Sequence, residues 1–462
     1  MTRLLPGLAA FVAAMAVALL GLYANAGTPA APDEPRGAVK LRLLGVNDLH
    51  GHLEPPRAGI GGAAWLKSHL DAATVPGRTI RVHAGDMVGA SPLISSHFKD
   101  EPTMEASNLI GFDVGTVGNH EFDEGGPELL RLLRMARFPY IAANTRYRGG
   151  GLMLPPYEIV ERAGVRVGFI GVTTPSTPKF LLARHSAPFE FGDVSEAVNR
   201  WVPALRRRGV EAIVVLAHAG APTQDESDAP DFVGEIVDET REMSSAVDVV
   251  VAGHSHSRLD LRVPNADGSG DKLVVEALSY GVAYDRVDIT VDRRTGHVLT
   301  KTGVIPDTSH RGTPPDHEVA GLVEHYRERV APVAERVLGS AEAELTRTQG
   351  NLGPLVARAE RAFARADAAV VHSGALRADI DTGPILYEEV ARVLAYDHPV
   401  MRVELSGREL RRLARGRYLA GPATVDPDRT YSVAASEQIL PEGGRVGTEV
   451  EAVAWYLGRG GG

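Results

Sequence analysis

The chain has 462 residues, 44% of them hydrophobic and 23% charged. That balance is ordinary for a soluble globular protein, and the length exceeds what one ordinary core fills, so two or three domains are expected. A formal charge of -10 excludes a general nucleic-acid-polymer binder, whose footprint is basic, but not a small anionic ligand whose charge a metal ion meets locally. The absence of cysteine excludes disulfides, thiolate catalysis and cysteine-ligated zinc.

In chain order, residues 1–26 carry one charge at Arg3, an apolar run from Leu8 to Leu22 and a small-x-small pattern at Ala24-Asn25-Ala26. This is the layout of a secretory signal peptide, which predicts an exported protein, periplasmic or extracellular, with no stable membrane span after cleavage. The alternative is a retained anchor, against which the run falls short of the ~20 residues of a membrane span. Residues 27–37, rich in Pro and Ala, read as a flexible lead-in.

From residue 38 one theme repeats: a short apolar, β-rich run, then a polar cluster. VKLRLLGV ends at Asn47-Asp48, RTIRVHA at Gly85-Asp86, FDVGTV at Gly118-Asn119-His120, EAIVVLA at His218 and VDVVVA at Gly253-His254. Helical patterns lie between them, at 62–73, 127–136 and 195–208. Strands alternating with helices predict an α/β layer structure whose strand-end loops converge on a site. After His256 the runs KLVVEALSY, YDRVDITVD and HVLTKTGVI predict antiparallel strands, the last two joined by a turn at 292–296. The first domain is placed at 38–305. A linker and a bridging helix, interrupted by Pro332, occupy 306–338. A second domain fills 339–457, and residues 458–462 are expected to be a disordered tail.

The polar clusters carry the chemistry. Asp48 and His50 are two apart after a strand, so both side chains can face one metal ion. Asp86 follows another strand; it is either an N-cap or a carboxylate able to bridge two cations. In Gly118-Asn119-His120-Glu121, Asn119 offers a neutral carbonyl ligand and the glycine permits a tight turn. His218, His254 and His256 complete the series. Five such motifs, all at strand ends, are not five coincidences. Mixed Asp, Asn and His donors suit Zn, Mn, Fe or Co better than Ca, and two such ions together can activate water for in-line attack.

VNDLHGH, HAGDMVGASP, GTVGNHEFDEG, LAHAG and AGHSHSRLD resemble the motifs of the calcineurin-like metallophosphoesterases, specifically the branch holding 5'-nucleotidases, 2',3'-cyclic phosphodiesterases and UDP-sugar hydrolases. The resemblance implies a four-layer sandwich of two mixed sheets flanked by helices, plus a smaller α/β C-terminal domain that binds substrate. It implies two divalent ions, one on Asp48, His50, Asp86 and His256, the other on Asp86, Asn119, His218 and His254. His120 and Asp123 match the family's catalytic pair, with His120 aiding departure of the leaving oxygen after metal-hydroxide attack on phosphorus.

The second half matches less closely. His372-Ser-Gly-Ala-Leu-Arg377 stands where the family has Asn-Gly-Gly-Gly-Ile-Arg. Arg377 is expected to bind phosphate, and His372 replaces a base-recognising Asn. Tyr396 is either a base-stacking ring or a half-buried packing residue. Near Gly447 the second stacking aromatic is missing, and Pro354 replaces an Asn upstream. The function expected is hydrolysis of nucleotide phosphate esters. The alternatives are a phosphoesterase for other small substrates, such as cyclic nucleotides or UDP-sugars, and a secreted metal-binding protein on a degenerate scaffold.

Overall fold

The structure is a computed structural model that describes residues 37–221, 234–348 and 350–460. The expected signal segment, the lead-in up to residue 36 and residues 461–462 lie outside the described residues.

Two six-stranded mixed sheets form the first domain. One runs Val298–Val304, Asp285–Asp292, Ala38–Val46, Thr79–His83, Val114–Thr116, Tyr140–Ile141. The other runs Arg258–Pro264, Asp271–Ala277, Val249–Ala252, Ala212–His218, Val165–Thr173, Tyr157–Arg162. Their inner faces share one apolar layer, with Leu41, Leu43, Ile80 and Val82 meeting Val167, Phe169, Val214 and Val251. Strands buried on both faces read as continuous Val, Ile and Leu runs, which is why these elements were legible.

Helices cover the outer faces. Ala63–Ala73, Glu101–Ile110 and Gly126–Leu133 lie on the first sheet, through Leu66, Leu70, Met104 and Leu129. Val194–Arg207 and Glu235–Glu242 lie on the second, through Val198, Val202, Leu205 and Ile236. Asp193 caps the first of this pair, its carboxylate accepting the Glu196 N–H at 2.8 Å, a contact worth about 1 kcal/mol. The result is the expected α/β four-layer sandwich.

The C-terminal domain has a five-stranded sheet, in the order Tyr418–Ala420, Ala368–Val371, Thr430–Ser436, Pro399–Ser406, Gly444–Thr448. Helices Leu352–Phe363 and Glu449–Leu457 pack through a second core of Leu355, Val356, Val450 and Val453.

Three expectations need correction. The helix predicted to reach residue 338 is His317–Ala334. Pro332 sits inside its last turn, and Val337–Ala341 is instead a strand paired with Gly383–Leu386. Asp271–Ala277 is antiparallel to Arg258–Pro264 but parallel to Val249–Ala252, because a crossover rather than a hairpin links it to the latter. Residues 458–460 are not a disordered tail: they form a turn, with N–H groups of Gly458, Arg459 and Gly460 bonded to Ala454, Tyr456 and Leu457.

Candidate metal centre

Every proposed ligand sits at the carboxyl end of a strand, and the loops bearing them are tied together by backbone. Asp48 N–H bonds Gly85 O at 3.0 Å, His50 N–H bonds Asp86 O at 3.0 Å and Gly51 N–H bonds Met87 O at 2.9 Å. Asp48, His50, Asp86, His254 and His256 all have positive φ, at 50°, 47°, 49°, 81° and 55°. Gly118 is required for closeness: a Cβ there would collide with the Asp86 carboxylate and the His218 ring.

Three groups of donor atoms converge, one of them being His50, Asp86 and His120, which brings His120 beside the expected ligands. In the other two, Asp48, His50 and His256 converge within 4.8 Å, and so do Asp86, His218 and His254. Asp86 Oδ2 lies 3.0 Å from His218 Nε2 and 3.7 Å from His50 Nε2, so it faces both groups. Asn119 Oδ1 is 3.0 Å from His218 Nε2. All seven expected ligands are therefore in one place.

The donor chemistry fits cations. His50 donates Nδ1–H to Gly89 O at 2.9 Å, and His218 donates Nδ1–H to Ala84 O at 2.9 Å, which orients each ring with Nε2 turned to the Asp86 carboxylate. His50 Nε2 then faces His256 Nε2 at 3.2 Å and Asp48 Oδ1 at 3.6 Å. Asp48 Oδ1 is buried without a hydrogen-bond partner. Two imidazole nitrogens facing one another, with an orphaned carboxylate oxygen beside them, make a donor set that a divalent ion would satisfy.

Asp123 accepts from His120 Nδ1 at 2.8 Å. Burial disfavours charge on His120, but the carboxylates of Asp123 and Asp86 outweigh it and raise its pKa to about 9. His120 N–H also bonds Asp86 Oδ1 at 2.8 Å, joining this pair to the ligand set.

Sequence reasoning passed over the residues that hold the ligands. Buried Glu121 accepts the N–H groups of Asp86 at 2.9 Å and Met87 at 2.8 Å, and that of Gly118. Asn47 donates Nδ2–H to Asp48 Oδ2 at 2.7 Å and to Leu278 O at 2.6 Å. Buried Glu276 accepts from Ser257 N–H at 3.0 Å and meets Ser255 Oγ, gripping the His254–His256 loop. The signal for Glu121 was its place inside the motif already singled out; the other two gave none.

From the C-terminal domain, Tyr396 stacks on His120 with ring centres 5.7 Å apart and planes 16° from parallel. The Arg377 guanidinium lies 5.7 Å from the Tyr396 ring centre. His372 is exposed and does not line the cavity beside His120. Its Nδ1 accepts the Gly374 N–H at 3.0 Å and so caps its own turn.

Residues 41–258 match the model of the calcineurin-like phosphoesterase family, and residues 330–420 match the 5'-nucleotidase C-terminal domain. Residues 41–258 are a calcineurin-like phosphoesterase domain. Among relatives, endonuclease YhcR of Bacillus subtilis is 33% identical over 84% of this chain and 34% of its own length. Cell wall protein Lmo0130 of Listeria monocytogenes is 29% identical over 92% of this chain and 63% of its own. The chain thus spans about one third of the first relative and under two thirds of the second. Among solved structures, the 5'-nucleotidase precursor from Thermus thermophilus superposes with a TM-score of 0.76 at 24% identity, covering 91% of this chain and 96% of that one. That likeness is one of fold.

Proposed function

We propose that the chain is an exported phosphoric ester hydrolase acting on nucleotides, in the manner of a 5'-nucleotidase, with two divalent ions held by the seven ligands above. The observation that carries this reading is the pair of donor groups meeting at Asp86, with the His120–Asp123 pair hydrogen-bonded beside them. When bound, the ions supply the Lewis acidity that activates water and neutralises phosphoryl charge. Asp86 sets the spacing of the two groups, since one carboxylate faces both. His120, held by Asp123 through Nδ1, donates from Nε2 toward the departing oxygen. Arg377 grips phosphate by charge-assisted hydrogen bonds, and Tyr396 presents a ring to the leaving group. The complete donor set weighs against the degenerate-scaffold alternative.

The test is phosphate release from nucleoside mono-, di- and triphosphates, 2',3'-cyclic nucleotides and UDP-sugars, by chelated protein reloaded with Mn, Co or Zn. Metal-dependent release from nucleoside monophosphates supports the reading; none from any nucleotide refutes it. Among the described residues no helix is long and apolar enough to cross a membrane. Cleavage of the signal segment is tested by N-terminal sequencing of secreted protein, with Gly27 as the expected first residue and Met1 the result that favours a retained anchor.

A further inference from the structure

A cavity of about 530 Å³ opens beside His120 between the two domains, within the size range of small-molecule sites, about 300–1,000 Å³. Tyr396 and Arg445 line it from the C-terminal domain, and Phe180 lines it from the catalytic domain. Where the sequence lacks a second aromatic, near Gly447, the strand Gly444–Thr448 turns Arg445 to the cavity and supplies no ring.

Phe180 is 39% exposed, although its neighbours Leu181 and Leu182 are buried. Among the described residues it is the exposed large apolar side chain that lines this cavity. A loose loop does not account for that exposure. Thr177 Oγ–H bonds Thr174 O at 2.7 Å, and Thr174 Oγ–H bonds Glu235 at 2.7 Å, so the turn before Phe180 is pinned to the domain. The Phe180 ring meets the His254 ring at 5.1 Å and 80°, which fixes its position relative to the ligand set. A fixed, solvent-facing phenyl ring on a cavity wall, with the proton-donating His120 on the same wall, is placed for a planar apolar group carried by the leaving oxygen.

We propose that Phe180 is a specificity-determining residue that packs on the nucleobase of the leaving nucleoside, so that ring recognition is divided between Phe180 of one domain and Tyr396 of the other. The proposal rests on the nucleotide-hydrolase reading. It also makes recognition depend on the domains standing as they do here, with Arg184 of the catalytic domain paired to Glu437 of the C-terminal domain.

The experiment compares kcat/KM for AMP with kcat/KM for β-glycerophosphate, which has no ring, in metal-loaded wild type, Phe180→Ala, Phe180→Leu and Phe180→Trp. Bound metal is measured for each protein, and adenosine binding is measured by calorimetry. Loss of one stacked ring lowers the AMP-to-glycerophosphate ratio, and adenosine affinity with it, by about fivefold. Alanine and leucine both show that loss at full metal content, and tryptophan retains the ratio. If leucine keeps the wild-type ratio and adenosine affinity, Phe180 only supports His254 and the proposal is overturned. A loss that tracks lost metal overturns it equally. If wild type turns over β-glycerophosphate but no nucleotide, it is the nucleotide reading that fails, and the base-packing role falls with it.

Discussion

Replacing Glu121 tests whether the outer residues hold the metal site together. Its carboxylate serves three backbone N–H groups, those of Asp86 and Gly118 on Oε2 and that of Met87 on Oε1. Burial, with the Asp86 charge next in effect, pushes its pKa up to about 7, while the amide donors favour the ionised form. The geometry, with a donor on each oxygen, is that of a carboxylate. Glu121→Ala orphans three buried donors at about 1–3 kcal/mol each, so about 3–9 kcal/mol is lost. A domain's whole stability is about 5–15 kcal/mol, and this variant is expected to fold poorly. Glu121→Gln is the informative change. Its single amide oxygen can keep the Asp86 and Gly118 bonds, but its NH₂ then opposes the Met87 N–H, leaving one donor unsatisfied at about 1–3 kcal/mol. Urea unfolding followed by tryptophan fluorescence in chelator measures that cost without metal. Titration of the chelated protein with Mn or Zn should then show about 10- to 100-fold weaker binding, the usual consequence of disturbing a residue that orients metal ligands. A Gln variant with the wild-type unfolding midpoint and wild-type metal affinity would refute the reasoning.

Asp86→Ala should remove the carboxylate common to both donor groups, and elemental analysis should find metal lost together with activity; full metal content and wild-type turnover would rule out the assignment. His120→Asn should retain metal yet lose about 10²–10⁴-fold in kcat on AMP, and less on p-nitrophenyl phosphate, whose leaving group needs little protonation. An equal loss on both substrates would count against proton donation. In the C-terminal domain, burial, with Glu449 adding to it, holds the Glu360 carboxyl well above its usual range, and neither of its oxygens has a hydrogen-bond partner. A carboxyl with a raised folded pKa contributes stability at low pH that is lost as pH climbs from about 4.5 through the folded value. Glu360→Met should therefore gain roughly 1–3 kcal/mol at about pH 4, where the neutral carboxyl is already unsatisfied, and more at about pH 8, read from unfolding curves at the two pH values.

Much of the site was legible because its signal is local. A ligand at the end of an apolar β-run declares itself in the sequence, and all seven proposed ligands followed that rule. The strand Val165–Thr173 was as apolar as the others, although its hairpin partner Tyr157–Arg162 carries three charged side chains. It went unnamed because it ends in Thr173-Thr174, with no donor to draw notice. Helix Glu449–Leu457 had a readable start in the Thr448–Glu451 capping box. The limit of His317–Ala334 was harder, because the helical pattern continues to residue 338 and only pairing with Gly383–Leu386 makes Val337–Ala341 a strand. Glu276 and Phe180 were beyond reach: one matters through residues about twenty positions earlier, the other through a cavity wall completed by a separate domain.

The five left-handed residues among the ligands have a cost that falls on the protein without its ions. Each non-glycine residue in that region costs about 1 kcal/mol, so Asp48, His50, Asp86, His254 and His256 together hold about 5 kcal/mol that glycine would release. Glycine, however, has no atom to give a metal. Relief of that strain is also offset where the side chain serves buried donors, as the Asp48 carboxylate does for Asn47 Nδ2–H and the His254 N–H, since each donor left unsatisfied costs about 1–3 kcal/mol.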